Sequence, residues 1–133
     1  MGHGDKVLIS DINFPSHSNN ERVHRLDGLD MPTVMRSILS VFPLDSFVSA
    51  AVHRMEVDNK PDEINEGNKE VIDVIKQVSG DHWTVGSIER QQFYKESNKV
   101  YAIITTSERR PYCNFILTKG VLKPDGSVWV LDK

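Results

Sequence analysis

The amino-acid sequence predicts an α/β fold: a single layered domain spanning residues 1–133, with a largely parallel central sheet flanked by helices. Three observations carry that prediction. Short apolar runs of strand type alternate with stretches whose apolar residues recur every three or four positions, and this order layers helices over a mainly parallel sheet. A length of 133 residues is near the modal domain size and suffices for one core. No internal repeat, low-complexity segment or composition shift marks a second domain.

Residues 7–10 form a short strand of Val7, Leu8, Ile9 and Ser10, bounded by Gly4 and Pro15. Residues 15–30 are polar and irregular and read as a loop, a functional candidate because such length is uncommon in a small domain. Asp30 is placed to cap a helix with Pro32 in its first turn. Val34, Met35, Ile38, Leu39 and Phe42 then repeat at helical spacing until Pro43 stops the run. Residues 47–57, rich in small and β-branched side chains, predict a central strand, and 58–67 an acidic connection. Ile64, Val71, Ile72, Ile75 and Val78 mark a second amphipathic helix, which Gly80 ends. Residues 83–88 predict a strand, 90–98 a short helix, and 100–106 carry the strongest strand signal. Strands at 115–118 and 128–131 close the set, with Pro124, Asp125 and Gly126 turning between them.

Composition excludes several function classes. The net charge is −3, and only Arg109 and Arg110 are adjacent among the 16 basic residues, so no surface tracks a nucleic-acid backbone. No apolar stretch has the length of a membrane span, and no charged segment followed by an apolar run marks a secretory signal. Cys113 is the only cysteine, which rules out an intrachain disulfide and points to a reducing compartment. The expected location is the cytoplasm.

Chemistry concentrates in a few places. Gly2-His3-Gly4-Asp5 precedes the first strand; it is not a dinucleotide loop, because the third glycine is missing and the glycines come before the strand. A terminal histidine is most often disordered, but the flanking glycines and the strand after it favour an ordered turn presenting an imidazole. Asp11 ends that strand. A carboxylate there caps a loop or faces a crevice, and in open α/β sheets that end of a strand is where ligands bind. His17, His24, His53 and His82 show no metal-ligand spacing, and residues 58–66 lack the alternation of a calcium loop. Cys113 reads as a small buried residue before it reads as a nucleophile. Trp83, Trp129, Phe93 and Tyr94 read as core or interface residues whose rings also suit the apolar face of a sugar.

These motifs recur in one order in a known family. Gly2-His3-Gly4-Asp5, Asp11, Phe14-Pro15, Asp27-Gly28, Arg90 with Phe93-Tyr94, Ser107-Glu108, Tyr112-Cys113-Asn114 and Lys119-Gly120-Val121 resemble the ribose pyranase/fucose mutarotase family over roughly nine-tenths of the chain. Asn13-Phe14-Pro15, Leu26-Asp27-Gly28-Leu29, Pro43-Leu44-Asp45 and Phe93-Tyr94 resemble its fucose branch, and Arg90 stands where ribose pyranases carry histidine. The resemblance implies His3 as proton donor, with Asp11, Arg90, Tyr112 and Asn114 binding a monosaccharide, the last two through side chain or backbone. It also implies a homo-oligomer, a ring-shaped decamer in similar proteins, and no metal, nucleotide or redox cofactor.

The chain departs from the family pattern in three ways. Members usually carry a helix before the Gly-His motif, whereas Met1 and Gly2 directly precede His3 here; Ser107 stands where glycine is usual; and the tail at 122–133 is longer than typical.

The expected reaction is anomer interconversion, in which the ring oxygen gains a proton while the anomeric hydroxyl loses one. An imidazole exchanges protons near neutral pH, and Asp11 and Arg90 supply charge-assisted hydrogen bonds to hydroxyls. L-fucose or a related monosaccharide is the expected substrate. Pyranose–furanose interconversion of ribose, and non-catalytic monosaccharide binding, are the alternatives.

Overall fold

Period-two alternation and helical repeats settle into three layers. The structure, a computed structural model, describes residues 1–131. In chain order the elements are β1 (Lys6–Ser10), α1 (Ser16–Asn19), β2 (Val23–Leu26), α2 (Met31–Leu39), β3 (Val52–Met55), α3 (Glu66–Ser79), β4 (Val85–Ile88), α4 (Arg90–Ser97), β5 (Ala102–Thr106) and β6 (Phe115–Thr118). They form a six-stranded sheet in the order β2-β5-β1-β6-β3-β4. The pairs β1/β5, β2/β5 and β3/β4 are parallel, and β6 runs against both neighbours, β1 and β3. The sheet is therefore mixed and mostly parallel. Its antiparallel member has a physical cause, since the connection from β5 to β6 is too short to hold a crossover helix that would return the chain in parallel.

β1 is buried on both faces, as a central strand must be. Val7 and Ile9 pack on one side with Val34 and Met35 of α2 and Val71 and Ile75 of α3. Leu8 points the other way, into a cluster with Phe14, Phe93 of α4, Ile103 and Ile116. The α2 start is as expected: Asp30 accepts from the Thr33 backbone N–H at 3.0 Å, and Pro32 sits in the first turn. Gly80 ends α3 with a φ of 105°.

Four expectations need correction. Residues 15–30 hold α1 and the edge strand β2, parallel to β5; His24, Arg25 and Leu26 are all exposed, so no alternation announced a strand. The strand expected over 47–57 contracts to β3, because Phe47 and Val48 are solvent-exposed and Phe47 N–H turns back to the Asp45 carboxylate. Ile64 lies outside α3, exposed, and Asn65 and Asn68 build the cap of that helix by a reciprocal pair of hydrogen bonds. Residues 128–131 form no strand but an isolated bridge, Leu122 to Val128, around the turn at Gly126. Residues 132–133 of the tail lie outside the described residues.

Gly120 closes the sheet end opposite the Asp11 end. Its N–H donates to the Pro43 carbonyl at 2.7 Å, and a Cβ there would collide with the Leu44 carbonyl and the Asp45 backbone. Gly120→Ala is expected to lower the unfolding free energy by about 1–3 kcal/mol in denaturant titration, because backbone must move to admit the methyl. Unchanged stability would mean that the Leu44 segment yields freely.

Candidate functional site

β6 opposes every other strand, so its first residues meet the carboxyl ends of β1 to β5 at one end of the sheet. Four of the five site residues expected from sequence gather there. Asp11 follows β1, Arg90 opens α4 just past β4, and Tyr112 and Asn114 immediately precede β6. Carboxyl ends are where strands stop at different heights and leave room for ligands.

Asp11 and Asn114 lock this end together. Asp11 N–H donates to Asn114 Oδ1 at 2.8 Å, and Asn114 Nδ2 donates to Asp11 Oδ2 at 3.2 Å. The N–H groups of Cys113 and Asn13 also donate to the Asp11 carboxylate, at 3.3 and 3.1 Å. Asp11 is 5% exposed, and burial outweighs these donors, so its pKa is pushed up to about 6. Burial also pushes the Cys113 thiol well above its ordinary range, which leaves it a protonated core group without nucleophilic character.

Tyr112 has a left-handed backbone, with φ 57°, and its carbonyl accepts from the buried Asn68 amide at 3.0 Å. Its hydroxyl donates to Asp58 Oδ1 at 2.8 Å. Arg90 is exposed, and its charge acts on the same phenol. Glu108 braces the loop beneath. It accepts from Met31 N–H at the α2 start and from Arg110, which also reaches Glu70 at 2.6 Å. Burial raises the Glu108 pKa, but those donors prevail and hold it below the usual carboxylate range. Ser107, where the family pattern has glycine, accepts from Gly28 N–H at 2.7 Å.

His3 is at the other end of β1. The turn that carries it is ordered by Asp5 N–H to the Gly2 carbonyl and by Gly4 N–H to the Lys119 carbonyl. Its Nε2 meets Asp45 Oδ1 at 3.1 Å, and its ring edge contacts Phe47 at a centroid distance of 4.9 Å. Asp45 is buried and fixes the orientation of the imidazole through Nε2. The length of β1 alone, four residue steps of about 3.3 Å, separates this pair from Asp11. Within one copy, the five residues therefore form two clusters.

Sequence reading gave no role to Asp45, named only within Pro43-Leu44-Asp45, and none to Asp58. Neither carries a local pattern, because each becomes functional only through a partner distant in the chain: His3 for Asp45, Tyr112 for Asp58. Phe47 and Trp129, whose rings meet at 6.3 Å beside His3, are about half exposed. The remaining histidines stay outside both clusters; His53 sits half-buried in β3, where burial lowers its pKa. Among the described residues no group of three or more His, Cys, Asp or Glu is placed to hold a metal ion, and no helix is long and apolar enough to cross a membrane.

Residues 1–122 match the model of the RbsD / FucU transport protein family. The chain is 35% identical over 124 residues to the L-fucose mutarotase of Actinobacillus pleuropneumoniae serotype 5b (strain L20), covering 91% of this chain and 84% of that protein. It superposes with a TM-score of 0.85 and 37% identity on the fucose mutarotase of Streptococcus pneumoniae in complex with L-fucose, covering 92% of this chain and 87% of the other. Bacillus subtilis RbsD complexed with D-ribose shares the fold, with a TM-score of 0.69 at 21% identity over 92% of this chain and 87% of that one.

The Asp11 environment makes stability depend on pH. Its folded pKa of about 6 exceeds the ordinary 3.8, so the folded state holds a proton that the unfolded chain releases. The resulting stabilisation is complete below about pH 4 and is lost as pH rises through about 6, an effect on the order of 3 kcal/mol. Denaturant titrations across that window are expected to show a fall in stability that Asp11→Asn flattens. Equal slopes in both proteins would refute the assignment.

Proposed function

Because this chain belongs to the RbsD / FucU transport protein family, we propose that it is a monosaccharide mutarotase, interconverting the α and β anomers of L-fucose or a related sugar. The support from relatives is the name L-fucose mutarotase and the L-fucose held by a homologous structure. The observation that carries the reading is the buried Asp11–Asn114 lock at the carboxyl end of the sheet, with half-buried Tyr112 and exposed Arg90 around it. Asp11 accepts from sugar hydroxyls, Arg90 donates to them, and Tyr112 and Asn114 hold the ring.

His3 is the proton donor in this reading, and β1 separates it from the sugar-binding group. A homo-oligomer resolves the separation: His3 of one copy faces the Asp11 end of the next, and a ring of copies repeats the contact. In the reaction His3, protonated on both ring nitrogens, gives one proton to the ring oxygen, the bond from that oxygen to the anomeric carbon breaks, and water takes the proton of the anomeric hydroxyl to leave an aldehyde. Rotation about the adjoining carbon–carbon bond and reversal of these transfers give the other anomer. Asp45 steadies the imidazole throughout. Acid–base help of about 10²–10⁴-fold suffices, because the uncatalysed reaction already proceeds in water. The protein acts in the cytoplasm on a free monosaccharide, without nucleic-acid or membrane partners.

Saturation-transfer NMR on equilibrated L-fucose, ribose and galactose tests the activity. Faster exchange between the anomeric proton signals of L-fucose is expected; ligand broadening without faster exchange would make this a sugar-binding protein. His3→Ala and Asp11→Asn are each expected to abolish exchange. Mixing the two variants after dissociation and reassembly should restore about a quarter of the activity, since random pairing rebuilds that share of intact sites. No recovery in verified mixed oligomers would exclude the shared site. Arg90→His is expected to shift preference towards ribose, and unchanged selectivity would remove Arg90 from substrate choice.

A further inference from the structure

Three residues other than glycine adopt a left-handed backbone among the described residues: Asp58 at φ 49°, Asn59 at 59° and Tyr112 at 57°. Such conformations are uncommon for side-chain-bearing residues and gather where a site requires them. Here all three belong to one unit. Asp58 and Asn59 are the central residues of a tight turn closed by Lys60 N–H to the Val57 carbonyl at 2.9 Å, and Asp58 accepts the Tyr112 hydroxyl. The buried Arg54 guanidinium braces the turn from below by donating to the Pro61 carbonyl at 2.5 Å.

The bond that this turn creates is between exposed or half-buried groups, so it adds little to the core. Its consequence is chemical. A phenol has one proton to donate; with that proton committed to Asp58, the Tyr112 oxygen is left as an acceptor. Asp58 Oδ2 is a second acceptor next to it, and the charge of exposed Arg90 acts on the same phenol. Two acceptor oxygens side by side with a guanidinium suit a pair of neighbouring sugar hydroxyls.

We propose that Asp58 is a positioning residue of the monosaccharide site: it accepts the Tyr112 hydroxyl and thereby presents the phenol oxygen, beside its own second carboxylate oxygen, to adjacent hydroxyls of the sugar. The proposal rests on the monosaccharide reading above and adds a residue to it. The same pairing raises the Tyr112 pKa, foremost through the hydrogen bond to Asp58, and this provides a readout that loop stability would not move.

The test uses the full chain with Asp58→Asn, Tyr112→Phe, the double variant, and Asn59→Gly as a control for the turn. Asparagine tolerates a left-handed backbone, so Asp58→Asn keeps the turn. Ring-carbon NMR of the three tyrosines, with Tyr112 identified by its loss in Tyr112→Phe, should show Tyr112 titrating at lower pH in Asp58→Asn. Affinity for L-fucose, read from ligand broadening and not from turnover, should fall about tenfold in each single variant and no further in the double. Asn59→Gly should change neither. An unshifted Tyr112 titration, or losses that multiply to about a hundredfold in the double variant, would overturn the proposal. Wild-type protein that binds L-fucose while Asp58→Asn binds it equally well overturns the Asp58 role alone. Wild-type protein that neither binds nor exchanges any of the sugars overturns the mutarotase reading with it.

Discussion

The pairing of Asp11 with Asn114 organises this molecule. The two residues are 103 positions apart; the Asp11 backbone N–H donates to the Asn114 side chain, and the Asn114 amide donates back to the Asp11 carboxylate, in a buried setting between β1 and β6. A carboxylate taken out of water needs several donors, and the chain meets that need with two backbone N–H groups and one amide. Meeting it fixes where β6 begins. Because the register then sets Ile9 opposite Phe115, the segment before β6 must turn at the carboxyl end of β1. Tyr112 is carried to the same end by that turn, and the left-handed backbone at Tyr112 is part of how the turn is made.

The other residues at this end are arranged around that lock. Asn68, fully buried at the start of α3, closes its own helix cap and holds the Tyr112 carbonyl, so helix entry and site geometry share one side chain. Glu108 and Arg110 do the equivalent for α2, joining its first turn to the β5–β6 connection and to Glu70. Polar groups with this degree of connection rigidify one conformation, because each would be left unsatisfied in any other. This end of the sheet is therefore rigid where Asp11, Tyr112 and Asn114 attach and exposed where Arg90 and Asp58 reach solvent.

Opposite ends of one strand carry complementary chemistry. The His3–Asp45 pair is an oriented imidazole flanked by the exposed rings of Phe47 and Trp129. The Asp11 end holds a buried carboxylate and amide, with a phenol and an exposed guanidinium beside them.

Much of this was legible along the chain. Helix α2 showed its cap, its first-turn proline and its apolar repeat, and α3 its repeat and terminal glycine, because helical signals are local. The buried strands β1, β5 and β6 showed as apolar runs for the same reason. Edge strand β2 did not, since a strand exposed along most of its length carries no hydrophobic period. Phe47 and the tail around Trp129 misled, because an apolar residue is equally at home in a core and beside an exposed histidine. By itself the sequence determined the α/β class, helices α2, α3 and α4, the buried strands β1, β5 and β6 and the residue types of the candidate site, all of which depend on neighbours a few positions away. Only the tertiary structure decided that His3 and Asp11 stand at opposite ends of β1, that Asp45 meets His3 and that Asp58 meets Tyr112. Those facts depend on strand direction and on contacts between residues dozens of positions apart, which hydrophobic periodicity does not encode.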